Sequence, residues 1–82
     1  MFKSVNYSPC GRNIVTTSDN GTLKIYDVAT CQLIRKIEGC SSGACSASYS
    51  PDGKHIAVIY DNGTVSIWDS DNGKLIHSIE DV

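Results

Sequence analysis

Eighty-two residues, 40% hydrophobic and 20% charged, suffice for one small domain with a thin core, because a chain of this size buries only about 60% of its unfolded surface. A net charge of −2 and a pI near 5.4 provide no basic footprint, so neither nucleic acid nor a membrane surface is an expected partner. No apolar run approaches the ~18 residues of a membrane span, and the opening residues lack the basic start and apolar core of an export signal; the expectation is a soluble cytoplasmic protein in a reducing compartment.

Along the chain, a first strand is expected over Phe2 to Tyr7, ending in Ser8-Pro9-Cys10-Gly11. Proline there presets the φ of the second turn position and glycine suits the fourth, which predicts a hairpin. The second run, Asn13 to Ser18, leads into Asn20-Gly21, the pair that best tolerates positive φ at both centres of a type I′ turn. A third strand is expected over Thr22 to Tyr26, then a polar loop, then a fourth over Gln32 to Ile37. Arg35 and Lys36 among the aliphatics of that fourth run are the charges that blunt an exposed sheet edge.

The same pattern then returns 42 residues later without a gap: Tyr49-Ser50-Pro51-Asp52-Gly53 repeats Tyr7 to Gly11, and Asp61-Asn62-Gly63-Thr64 repeats Asp19 to Thr22. Sliding residues 1–40 over 43–82 gives 16 identities in 40 pairs. Such self-similarity is the signature of a repeat architecture. The second unit is expected to have strands at Cys45 to Tyr49, His55 to Tyr60, Thr64 to Trp68 and Lys74 to Ile79, with His77 on its edge strand. Residues 1–40 and 41–82 therefore read as two four-stranded antiparallel units of an all-β fold. The unbroken apolar run Ile56 to Tyr60 predicts a strand covered on both faces.

The four cysteines, Cys10, Cys31, Cys40 and Cys45, form no CxxC pair, and His55 and His77 stand too far apart for a zinc half-site. Free thiols and no metal are expected. Ser8 and Ser50 precede proline in turns without a nucleophile elbow, and no phosphate-binding glycine motif occurs. Asp27 and Asp69 end the third strands, where a carboxylate caps the next loop. No cofactor and no enzymatic activity are expected.

The period, the Ser-Pro-Asp-Gly turn at 50–53 and Gly-Thr-Val-Ser-Ile-Trp-Asp at 63–69 closely resemble the WD-repeat β-propeller family, and residues 8–11 and 21–27 repeat the match with Cys10 for Asp and Tyr26 for Trp. The resemblance implies two propeller blades in a non-enzymatic protein-interaction scaffold. It also implies a structural network of histidine, aspartate, hydroxyl and tryptophan. Neither unit has that histidine, and Asn20 and Asn62 stand where the aspartate would, so the partners are missing together.

Two blades leave two apolar faces to be covered, by copies of the chain, three or four giving six or eight blades, or by other propeller blades. Ile14, Ile25, Tyr26, Ile56, Val58, Ile67 and Trp68 are expected to pack blade against blade. By resemblance, Phe2, Lys3, Asp19, Asn20, Ser41, Ser42, Asp61 and Asn62 share a loop face that meets an unidentified protein or peptide. The alternative is a ligand-binding or enzymatic propeller with a central funnel lined by Ser4, Asn6, Ser46 and Ser48.

Overall fold

The computed structural model describes residues 1–38 and 43–80, the side chain of Cys45 excepted. The expectations for Cys40, Ser41 and Ser42 thus lie outside the described residues. The strands are β1 (Phe2–Tyr7), β2 (Asn13–Ser18), β3 (Thr22–Asp27), β4 (Leu33–Glu38), β5 (Ala44–Tyr49), β6 (His55–Tyr60), β7 (Val65–Asp69) and β8 (Leu75–Ile79). They form two antiparallel four-stranded sheets, β1-β2-β3-β4 and β5-β6-β7-β8, with no helix among the described residues. The fold is two adjacent propeller-type blades that do not close into a ring, and β4, which carries Arg35 and Lys36, and β8, which carries His77, are edge strands as expected.

Local chemistry accounts for the hairpins. In the Ser-Pro turns the Gly11 and Gly53 amides donate to the Ser8 and Ser50 carbonyls, both at 2.9 Å, while the Ser8 and Ser50 hydroxyls accept from the amides of Asn13 and His55, both at 3.1 Å. The Asn-Gly turns differ from expectation. Gly21 and Gly63 have φ of 85° and 86°, but among the described residues Cys31 is the only non-glycine with positive φ. Neither Asn20 nor Asn62 is left-handed, so these are not type I′ turns. The turn runs instead from Ser18 to Gly21, closed by the Gly21 amide on the Ser18 carbonyl at 3.1 Å, the pattern of a type I turn followed by a left-handed glycine. The asparagines act through their side chains: Asn20 Oδ1 accepts from the Thr22 amide at 3.1 Å and Asn62 Oδ1 from Thr64 at 3.0 Å, the Asx geometry that competes with a left-handed backbone.

The core lies between the blades. Register places Val15 beside Ile25, Thr17 beside Leu23, and Leu23 beside Ile37, so these side chains share one face of the first blade. Ala47 pairs with Val58, and Ile56 with Trp68, on one face of the second. All are buried and, Thr17 apart, they form a single hydrophobic cluster with Ala44 and Tyr60. Strand β6 is consequently buried on alternate residues: Ile56, Val58 and Tyr60 are covered, whereas Ala57 and Ile59 are exposed. The apolar run is not covered on both faces within this chain because the second blade has a neighbour on one side only.

Candidate functional site

The candidate surfaces are two: the rim where strand entries and turns gather, and the outer sheet faces. On the rim, a register shift between Phe2 and Ser4 makes Lys3 the extra residue of β1. A bulge re-aims its side chain. Lys3 Nζ lies 3.6 Å from Asp19 Oδ1 and 3.9 Å from Asp61 Oδ2, so it joins the turns of both blades. Gly43 closes the same corner: its carbonyl accepts from the Asp61 amide at 2.8 Å, and a Cβ on it would meet the Asp61 carboxylate and lie 2.6 Å from the Asp19 carbonyl oxygen. Lys3, Asp19, Asn20, Asp61 and Asn62 are exposed on this rim, with two carboxylates against one ammonium.

Phe2 belongs elsewhere. The bulge at Lys3 pairs Phe2 with Ser18 and Val5 with Thr16, which puts the phenyl ring on the outer face of the first blade with Val5 and Tyr7. There it meets Tyr26 edge to face, with ring centroids 6.5 Å apart. Phe2, Val5, Tyr7, Ile14, Tyr26 and Val28 line an apolar groove of about 750 Å³. Plain alternation in the sequence would have sent Phe2 to the face of Ser4 and Asn6, and the one signal for the bulge is that Lys3 would otherwise lie among the apolar outer-face residues.

Among the residues expected to pack the blades, Ile25, Ile56, Val58 and Trp68 lie in the interblade core. Ile14 and Tyr26 line the groove on the opposite face of the first blade, and Ile67, paired with Ala57, is on the outer face of the second. Trp68 is 8% exposed, yet its Nε1 has no hydrogen-bond partner among the described residues; the same is true of the Tyr49 hydroxyl. That is the counterpart in space of the histidine and aspartate missing from the sequence.

The polar residues weighed for chemistry are engaged structurally. Asp27 Oδ1 accepts from the amides of Ala29 and Thr30 at 2.8 and 3.0 Å, and Asp69 Oδ1 from Asp71 and Asn72 at 2.8 and 3.1 Å. The Asn72 and Asp71 amides hold the Asp69 carboxyl below its ordinary pKa. Hydrogen bonds from the Ser50 hydroxyl and the Lys54 amide do the same for Asp52. Cys10 stands in the place of Asp52, its Sγ 3.5 Å from the Ser8 hydroxyl, which with the Arg12 amide lowers its thiol pKa. Burial raises the Tyr49 phenol. Ser4 Oγ shares a 2.7 Å hydrogen bond with Thr17 Oγ1, and the Asn6 side chain donates across the blades to the Ala47 carbonyl. Ser46 and Ser48 pair with Ile59 and Ala57 and are exposed on the outer face of the second blade. Among the described residues no three His, Cys, Asp or Glu side chains converge on a possible metal position, and Cys10 and Cys31 are free.

Comparison with known proteins agrees with this architecture. The family model described as the anaphase-promoting complex subunit 4 WD40 domain matches residues 38–81, and that of the WD domain, G-beta repeat, matches residues 3–27. No curated protein matches the chain. Among solved structures, the β-propeller domain of Myceliophteria thermophila Cps50 (Swd1) superposes with a TM-score of 0.91 at 25% identity, covering 96% of this chain and 24% of that one. The WD40 repeats of RRP9 superpose at 0.92 with 16% identity, covering 98% and 26%. The chain therefore spans about a quarter of those domains. Matched over more than half its length by a WD40 family model and along nearly all of it by propeller structures, the chain belongs to the WD-repeat family.

Proposed function

We propose that this chain contributes two blades to a WD-repeat propeller that acts as a non-enzymatic platform for a protein or peptide, bound on the rim formed by Lys3, Asp19, Asn20, Asp61 and Asn62. WD-repeat propellers are generally protein-interaction scaffolds, and the reading for this chain rests on one observation. Lys3 bridges toward Asp19 of its own blade and Asp61 of the next, so the turns of two blades form one continuous exposed surface rather than separate loops. Such a surface can carry recognition while the sheets stay fixed. Its excess of carboxylates favours a basic segment in the partner. The free thiols of Cys10 and Cys31 fit a cytoplasmic, reducing setting. The remaining blades come from copies of this chain or from other propeller segments.

The test is a pull-down from extract of the source cells with immobilised wild-type chain beside Asp19→Lys, whose side chain is 54% exposed. Partners retained by the wild type and lost by a folded Asp19→Lys variant are the expected result. An identical set of retained proteins would show that recognition lies away from the rim.

A further inference from the structure

One row of residues crosses each sheet at the same level, and the two rows differ in charge. In the first blade Val5, Thr16, Lys24 and Lys36 pair in turn across β1 to β4. In the second blade the equivalents, 42 positions on, are Ala47, Val58, Ser66 and Ser78. The second row faces the first blade, with Ala47, Val58 and Ser66 buried. The first row stands on the open face, where Val5 and Thr16 line the apolar groove. Two ammonium groups thus occupy the open face where the covered face has two hydroxyls.

Lys24 and Lys36 sit directly opposite one another, an arrangement that destabilises a sheet unless an anion offsets it. Lys36 has such an anion, its Nζ lying 3.2 Å from Glu38 Oε1. Lys24 has no ion-pair partner among the described residues, and it is already half-buried with only two blades present. Any surface that covers the groove completes that burial, and a buried ammonium is tolerated only when it is paired. Reach is available. Inside the chain β1 and β2 lie close to β5, while the outer strands are bridged by a long cation, Arg35 of β4, which donates to the carbonyls of Asp71 and Asn72. Lys24 and Lys36 likewise project from the outer strands β3 and β4.

We infer that the first blade is covered by a propeller blade outside these 82 residues, which sets apolar inner strands against Phe2, Val5 and Tyr26 and turns an Asp or Glu from an outer strand onto Lys24. The inference rests on the propeller reading above and names the chemistry of the neighbour. A second copy of this chain does not fit. On the open face of its second blade, the outer strands present Val65 and Ile67 paired with Ile79 and His77, with no carboxylate among them. Asp69, at the end of β7, is committed to the amides of Asp71 and Asn72. Copy against copy would therefore bury Lys24 against aliphatic groups or imidazole. An acid opposite Lys24 also selects the neighbour, because one ion pair in an otherwise apolar contact fixes its alignment and rejects blades that lack the acid.

Cross-linking without a spacer tests the pair directly. The native assembly, isolated from the source cells through a tag on this chain, is treated with a carbodiimide, which joins an ammonium to a carboxylate in direct contact, and the linked peptides are sequenced by mass spectrometry. The expected product is an amide between Lys24 and an Asp or Glu outside these 82 residues. A link from Lys24 to a carboxylate within these residues, whether of the same chain or of a second copy, would overturn the inference. So would an unlinked Lys24, whether it is acetylated freely in the intact assembly or protected. A folded Lys24→Glu variant should recover the linked blade with about tenfold lower yield, since it sets like charges face to face; equal recovery would also overturn the inference. The pull-down is a separate readout, because Asp19→Lys leaves Lys24 in place: a Lys24 link together with rim partners unaffected by Asp19→Lys counts against the rim reading alone.

Discussion

Tyr26 and Trp68 are the same position in successive repeats, with the same cross-strand neighbours: Tyr26 pairs with Ile14 and Trp68 with Ile56. Trp68 is nevertheless 8% exposed in the interblade core, while Tyr26 lines an open groove under the edge of Phe2. The difference lies outside either blade. Trp68 faces the first blade, and Tyr26 faces the side on which this chain supplies no neighbour, so equal residues in equal sheets receive unequal burial. Position in the repeat sets which face a side chain occupies, and the adjoining blade sets what that face contributes.

The largest effect expected from that comparison is Trp68→Ala, which should cost about 3–5 kcal/mol as a large-to-small core change. That is much of the ~4–12 kcal/mol total typical of a domain this small. Tyr26→Ala should cost only about 1 kcal/mol in the dilute monomer, where the ring is already partly in water. Urea unfolding of both variants measures the gap; equal losses would mean that the two faces are equally covered in solution.

Gly43 and Met1 form a second contrasting pair. Met1 is 95% exposed, whereas Gly43 is pressed between the turns of both blades. Gly43→Ala should destabilise by about 1–3 kcal/mol, the usual cost of overpacking, and Met1→Ala should be neutral within about 0.5 kcal/mol. Thermal melts decide this, and an unaffected Gly43→Ala would show that the corner opens easily.

A smaller effect is expected at the β3–β4 and β7–β8 loops, where Cys31 and Gly73 occupy equivalent positions with φ of 61° and 73°. Cysteine pays for its Cβ in that left-handed conformation, so Cys31→Gly should stabilise by about 0.5–1 kcal/mol. The reverse change, Gly73→Cys, should destabilise, with an added clash against Arg35. Chemical denaturation that reverses these signs would remove the backbone explanation.

The smallest effect is in acid. Asp52 and Asp69 have folded-state pKa values below the ordinary carboxylate value through hydrogen bonds to Ser50 and Lys54 and to the amides of Asn72 and Asp71. A lowered folded pKa contributes stability that is fully present above the unfolded value near ~3.9 and is lost as pH falls through the folded value. Asp52→Asn with Asp69→Asn should therefore flatten the decline of stability below pH ~4. The first blade has Cys10 in place of Asp52, so Cys10→Ser should leave that decline unchanged. An acid limb that persists in the double variant would place its origin elsewhere.

Much of this was legible because the relevant forces act within a few residues. The Ser-Pro-x-Gly turns close with the Gly11 and Gly53 amides on the Ser8 and Ser50 carbonyls, and Asp27 and Asp69 bind amides two and three residues on. The turn at Asn20-Gly21 departs from the type I′ expectation because asparagine has two local options, a left-handed backbone or an Asx hydrogen bond, and residue identity alone does not choose between them. By resemblance the entry to the first strand places Phe2 on the rim, but the bulge that makes Lys3 the extra residue turns Phe2 onto the outer face. The contact of Lys3 with Asp61 joins residues of different blades, which no local pattern specifies.

The sequence by itself determined eight strands, their hairpin order, the 42-residue repeat and the aspartates that cap the loops after the third strands, since these follow from short-range sterics and hydrogen bonding. Tertiary structure decided which apolar face of each blade became core. Both faces of each sheet carry apolar residues, with Val15 and Ile25 on one side of the first blade and Val5 and Ile14 on the other. Burial is a property of the neighbour that excludes water from a face, so only the packing of the two blades separated the covered face from the open one.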